Sequence, residues 1–368
     1  MSKIPRRAAI VGVAALTLTA APRPGGPPLD SSHAAPVQRQ ARPDVRSTTL
    51  ESAAIGRNLV DEPPDQKVLV FLPPTYDREP NRRFPVIYLL HGVGDDPEIW
   101  DRAWNLMDLL DGLMRAGTLA EMIVVMPNGR SQFLGGYYMD SPVTGGWATF
   151  IKSELVGWVD STYRTIAKRE SRGVIGLSMG GFGAIQMAMR ASDVFSVVYA
   201  MSPCCLDFVE DAGYGNIAGW RGALSFRTLA DVRAALRQGA LYPVALYAFT
   251  AATLPSPNRP PLFVEWPVQE RDGELLPSPL WDRWRAEAPA RQVSRFAANL
   301  RSLTALGLEY GIDDQFAHIP PATTAFVQQL AAARIPHRLE VFDGDHRNRF
   351  RARMASRVLP FVAEHLTR

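Results

Sequence analysis

Hydrophobic positions along the chain fall into short unbroken runs separated by longer stretches with helical spacing. Residues 84–90, 122–126, 174–177 and 195–201 are apolar on nearly every position, the pattern of strands buried on both faces of a sheet. Between them lie stretches with helical character at about 98–116 and 149–163, and a helix of small residues follows position 178. Two earlier segments, 48–55 and 67–72, predict short strands that open the sheet antiparallel, joined by a polar loop. Strands at 302–310 and 337–342 and a helix at about 349–366 complete the series. Strand alternating with helix predicts an α/β fold: a mostly parallel central sheet with antiparallel N-terminal strands and helices on both faces.

The alternation stops between about 206 and 293. That stretch carries Trp220, Phe226, Tyr242, Tyr247, Phe249, Phe263, Trp266, Trp281 and Trp284 among several prolines, and so long a run without structure of its own would be unusual. It is read as a cap inserted over the sheet, and its aromatic content suggests an apolar or aromatic ligand group. The N-terminus has Lys3, Arg6 and Arg7, then an apolar run to Ala21, then prolines and small residues. This is the layout of a secretory signal, and it predicts a secreted, periplasmic or cell-envelope protein. Signal peptide 1–21, disordered linker 22–45 and folded domain 46–368 are the expected divisions, with no stable membrane span after signal cleavage.

A net charge of +3 from 40 basic and 37 acidic residues in 368 is too small to argue for nucleic acid as a partner. Cys204 and Cys205 are the two cysteines. Neighbouring Cα atoms lie about 3.8 Å apart, so a bridge between them would be strained. They are read as buried thiols at a strand end, with a redox or catalytic role as the alternative.

Residues 174–183, Val-Ile-Gly-Leu-Ser-Met-Gly-Gly-Phe-Gly, place a G-x-S-x-G turn between a strand and a helix and name Ser178 as a candidate nucleophile. Side chains at Gly176 or Gly180 would collide with the neighbouring strand and helix. A serine hydroxyl needs a base within reach and a third group to orient that base. In this type of site the order along the chain is Ser, then Asp or Glu, then His, each at the C-terminal end of a strand. Of the six histidines, His33 falls in the linker, His365 on the last helix and His337 at the wrong end of the last strand. His318 lies beyond an acidic loop, and His91 precedes Ser178. His346 follows the last strand and is the expected base. Asp313 and Asp314 both follow strand 302–310, and either could turn inward, Asp314 being favoured. Asp343 and Asp345 lie too close to His346 in sequence and are read as solvated loop carboxylates. Charge developing on the substrate oxygen needs two backbone donors. Met179, after the nucleophile, and Val93, in the loop His91-Gly92-Val93-Gly94, are the candidates, with His91 as a possible staple of that loop.

With these residues in place the chain resembles the esterase D family of α/β-hydrolases, which includes S-formylglutathione hydrolases, feruloyl esterases and mycolyltransferases of the antigen 85 type. The resemblance rests on Tyr88-Leu-Leu-His-Gly, Gly176-Leu-Ser-Met-Gly-Gly, Gly311-Ile-Asp-Asp-Gln-Phe and Gly344-Asp-His346, and covers most of residues 60–368. It implies a triad of Ser178, Asp314 and His346, oxyanion donors at Val93 and Met179, and a serine esterase acting on a small-molecule or polymer-linked ester through an acyl-enzyme. Neither metal ligand spacing nor a phosphate-binding glycine loop is present, so no metal and no cofactor is expected. Acyl transfer to a sugar or lipid acceptor, and a catalytically silent binding protein with the same fold, are the alternatives. The segment between Cys205 and Ala290 matches no family motif, and substrate choice is expected to reside there.

Overall fold

The computed structural model describes residues 43–368; the expected signal at 1–21 and most of the linker at 22–45 lie outside them. Eight strands build one sheet: β1 (Asp44–Glu51), β2 (Asp65–Leu72), β3 (Val86–Leu90), β4 (Ile123–Pro127), β5 (Arg172–Leu177), β6 (Val197–Met201), β7 (Ala305–Gly311) and β8 (Arg338–Phe342). Their order across the sheet is β1-β2-β4-β3-β5-β6-β7-β8. Pairs β1–β2 and β2–β4 are antiparallel, and all the others are parallel. The unbroken apolar runs are explained by position: every residue of β3, β4 and β6 is buried, whereas the edge strands β1 and β8 are largely exposed or half-buried.

Period-two geometry divides each central strand between two cores. Val86, Tyr88 and Leu90 of β3 point into one core with Phe150, Ile151, Phe182 and Ile185 from helices, while Ile87 and Leu89 join Trp100, Leu110, Leu359 and Val362 in the other. Helices therefore cover both faces, as the alternation predicts.

Several expected boundaries move. β1 starts at Asp44, inside the expected linker, and ends at Glu51 instead of continuing to Ile55. Ser52 caps a short helix, Ala53–Gly56, accepting the Ile55 N–H at 3.1 Å, which withdraws these residues from the strand. The helix expected at 98–116 breaks at Asn105, whose φ of 49° separates Ile99–Trp104 from Leu106–Arg115. Residue 302 ends the helix Ala297–Ser302, so β7 begins only at Ala305. The C-terminal helix changes to a wider π-type turn over Met354–Val358 before Leu359–His365.

Residues 206–293 fold mainly as helices: Ile217–Leu224, Leu229–Arg237 and Leu241–Thr253, then a hairpin of Val268–Arg271 with Glu274–Pro277 and two short helical turns. Most of their aromatics serve packing. Trp220, Phe226, Tyr247 and Trp284 are buried and continuous with the core of one sheet face. Among the described residues no helix is long and apolar enough to cross a membrane.

Candidate active site

Ser178 follows β5 with φ 59° and ψ −117°, and the helix Met179–Arg190 starts at the next residue. A β-carbon-bearing residue rarely holds such a backbone, which costs on the order of 1–3 kcal/mol and persists only where the surroundings enforce it. Here they do. Ser178 N–H donates to Met201 O at 3.0 Å, and its carbonyl accepts from Phe182 N–H at 3.0 Å and Cys204 N–H at 3.1 Å. A Cβ on Gly176 would lie 2.0 Å from Gly180 O, and one on Gly180 would lie 1.8 Å from Leu90 O. Glycine at both positions is what lets the turn close between β3 and the helix.

His346 lies on the turn after β8 and Asp314 on the loop after β7, side by side because those strands are parallel neighbours. His346 Nδ1 contacts Asp314 Oδ2 at 2.8 Å, with both side chains almost fully shielded from solvent. Asp314 Oδ1 accepts the Phe316 N–H at 3.0 Å, and the Phe316 ring packs edge-on against the imidazole, centroids 4.7 Å apart. Both carboxylate oxygens are thus hydrogen-bonded, as a buried charge requires. Asp313 is exposed and turns away. Asp345 accepts from the Arg347 and Asn348 N–H groups and shapes the His346 turn.

The loop after β3 lies against the serine turn: a Cβ on Gly92 would sit 3.4 Å from Ser178 Cβ. His91 is fully buried, donates from Nδ1 to Gly92 O at 2.9 Å and accepts the Gly129 N–H on Nε2 at 2.8 Å. Burial holds its pKa below the ordinary value, and the acceptor role of Nε2 requires the neutral ring, so His91 staples two loops together. Gly94 N–H to Leu134 O at 2.9 Å and Asp95 N–H to Gly92 O at 3.3 Å fix the backbone around Val93. One link was not foreseeable from spacing. Arg347, next to His346, pairs with Asp95 at 2.6 Å and ties the loop after β3 to the loop after β8.

Ser178, His346 and Val93 open onto one cavity. Its far wall comes from the 206–293 segment, with Leu241, Tyr242, Leu246 and Phe249 among the lining residues. Phe249 is itself held by Tyr137, Phe182 and Phe208, with ring centroids 4.7–5.8 Å away. The structure thus places Ser178, His346, Asp314, Val93 and Met179 together at the C-terminal ends of the parallel strands, where α/β sheets open toward ligands. His337 and His365 lie elsewhere and contact backbone carbonyls. Cys204 and Cys205 are buried thiols after β6, as expected, but both also line the cavity, and so does His318 at the start of the helix Ile319–Ala332. Among the described residues no group of three or more His, Cys, Asp or Glu side chains is arranged to hold a metal ion.

Residues 63–361 match the family model described as "Putative esterase". The chain belongs to this esterase family. Over 146 residues, or 38% of the chain, it is 37% identical to an esterase of Mycobacterium tuberculosis, and over 126 residues, or 32%, it is 32% identical to the diacylglycerol acyltransferase/mycolyltransferase Ag85A of Mycobacterium bovis. The chain spans 28% and 35% of the lengths of these two relatives. Among solved structures it resembles a ferulic acid esterase, with a TM-score of 0.57 at 24% identity over 89% of this chain and all of that one. The α/β-hydrolase fold and the family resemblance expected from the motifs are both borne out.

Proposed function

We propose that this protein is an exported serine esterase that hydrolyses carboxylic esters through an acyl-enzyme on Ser178. The observation that carries the reading is the 2.8 Å His346–Asp314 pair beside a serine held at φ 59°, with Ser178 and His346 lining one cavity. In the proposed cycle His346 Nε2 takes the proton of Ser178 Oγ as that oxygen attacks the ester carbonyl. Asp314 keeps the Nδ1 proton in place and stabilises the imidazolium. The N–H groups of Val93 and Met179 receive the negative charge on the carbonyl oxygen, each worth about 3 kcal/mol in comparable sites. Collapse expels the alcohol, protonated by His346. A water activated by the same histidine then releases the acid and regenerates the serine.

The apolar wall of Leu246 and Phe249 supports an acyl group or alcohol of apolar or aromatic character. The signal-like residues 1–21 support export. Acyl transfer to a sugar or lipid alcohol uses the same residues, and the likeness to a mycolyltransferase favours it as the second reading. The test is a panel of chromogenic esters of graded acyl length, assayed with and without acceptor alcohols. Turnover is expected in the wild type and absent in Ser178→Ala; undiminished turnover in the variant sinks the mechanism. Product esters formed only with acceptor present would move the assignment to acyl transfer. Failure of folded wild type to react with a fluorophosphonate would favour a silent binding protein.

A further inference from the structure

A second set of nucleophile, histidine and aspartate faces the cavity, and the hydrolytic scheme does not use it. His318 Nδ1 contacts Asp211 Oδ1 at 2.8 Å, and the His318 backbone N–H donates to the same oxygen at 2.7 Å. Tyr242 OH donates to the other oxygen of Asp211. The second ring nitrogen, Nε2, is buried with no hydrogen-bond partner of ordinary geometry among the described residues, although the side chain, 6% exposed, lines the cavity. A buried N–H left this way is uncommon in native proteins. Cys205 lines the same cavity as His318 and Asp211, and its thiol and the His318 ring act on each other's ionisation. Cys205 has φ 59° and lies 2.8 Å, sulfur to sulfur, from Cys204.

We propose that Cys205, His318 and Asp211 form a second nucleophilic unit on the cavity, a thiol modification site for soft carbon electrophiles such as α-halocarbonyl and α,β-unsaturated carbonyl compounds. A thiol must be deprotonated to react, and a neighbouring imidazolium supplies that condition. The groups facing Cys205 are Cys204, His318, Asp211, Tyr137 and Tyr242. Burial alone pushes the Cys205 thiol up, but hydrogen bonding with Cys204 and His318, together with the charge of His318, outweighs it and brings it down to about 6, against a smaller opposing effect of Asp211. Burial likewise pushes His318 down, yet Asp211 and Cys205 raise it to about 9. Cys204 moves the other way, well above the ordinary thiol range, chiefly through burial. The two neighbouring thiols are thus driven in opposite directions, Cys205 toward the thiolate and Cys204 toward the neutral thiol.

With an α-haloamide, the Cys205 sulfur forms a bond to carbon as the carbon–halogen bond breaks, and halide leaves with the bonding pair. With an α,β-unsaturated carbonyl, sulfur adds to the β-carbon, the π pair moves to the enolate, and the Nε2 proton of His318 is delivered to the α-carbon. Neither route needs an oxidant or a metal.

The test is iodoacetamide labelling of the full chain from pH 5 to 9, with the adduct mapped by mass spectrometry. A single adduct on Cys205 is expected, with a rate midpoint near pH 6. In His318→Gln the midpoint should rise toward about 8.5. The thiolate fraction at pH 6.5 then falls roughly a hundredfold while its intrinsic nucleophilicity rises about tenfold, so labelling slows about tenfold. Ser178→Ala should label at the wild-type rate, which separates this proposal from the esterase reading. Should His318→Gln not fold, the ultraviolet absorbance of the thiolate in the wild type gives the same midpoint without substitution. A wild-type midpoint near 8.5, an adduct on Cys204, a vicinal disulfide in place of free thiols, or no labelling of folded protein would each overturn the assignment.

Discussion

His346 with Asp314 and His318 with Asp211 hold the same 2.8 Å contact between Nδ1 and a carboxylate, and both histidines line the same cavity. Their supports differ. Asp314 and His346 sit on the loops that end two paired parallel strands, and neither side chain is more than 1% exposed. Asp211 belongs to the segment after β6, is 21% exposed, and meets His318 only because that segment folds back across the sheet end. Both candidate nucleophiles, Ser178 and Cys205, have a φ of 59°. The Ser178 turn is locked between β3, β6 and its helix, whereas Cys205 opens the insert. Each chemistry gets its precision from a different source. A hydroxyl needs a base placed for proton transfer at the moment of attack, which rigid strand ends provide. A thiol needs only a charge environment that keeps it deprotonated.

The largest test of this contrast is Ser178→Ala, expected to lower ester turnover by roughly four orders of magnitude or more while leaving Cys205 alkylation at its wild-type rate. Loss of both reactions together would mean that the two sets are one. Next, Asp314→Asn should cost about a thousandfold or more in kcat/KM, because it permits the wrong imidazole tautomer. Asp313→Asn, at an exposed site, should stay within about threefold; equal losses from the two variants would remove Asp314 from its proposed role. Arg347→Gln breaks the tie to Asp95, so both loops gain freedom and kcat/KM for chromogenic esters should fall about tenfold, with a smaller change in the midpoint of denaturation. Smallest is Asp211→Asn. His318 loses its charged partner, its pKa falls, and the imidazolium beside Cys205 is lost at lower pH; the alkylation midpoint should rise by about one unit. An unmoved midpoint in that variant would show that Asp211 does not hold the imidazolium.

The esterase D-type framework was legible because each of its parts is local. Consecutive apolar residues marked β3 to β6, two glycines marked the serine turn, and strand-end positions sorted His346 from the other histidines. Asp314 and Asp313 could be ranked but not separated, since adjacent loop residues point in different directions and only the fold decides which one is buried. His318 looked unremarkable because it follows the acidic loop by a few residues, and Asp211, its partner, lies 107 positions earlier. The Arg347–Asp95 pair spans 252 positions, and no periodicity links such residues. The aromatic richness of 206–293 proved ambiguous for a physical reason: an aromatic ring packs equally well against a core or a ligand. Trp220 and Trp284 went to the core, while Phe249 and Tyr242 face the cavity.

Chain order alone carries the α/β-hydrolase framework, the esterase family and the serine turn, because hydrophobic period and steric demand act over a few residues. Which acid meets which histidine, what wall faces Ser178, and that Cys205 and His318 share one cavity depend on the folded chain. Those outcomes depend on distances and burial between segments a hundred or more residues apart, which chain order does not encode in any local pattern.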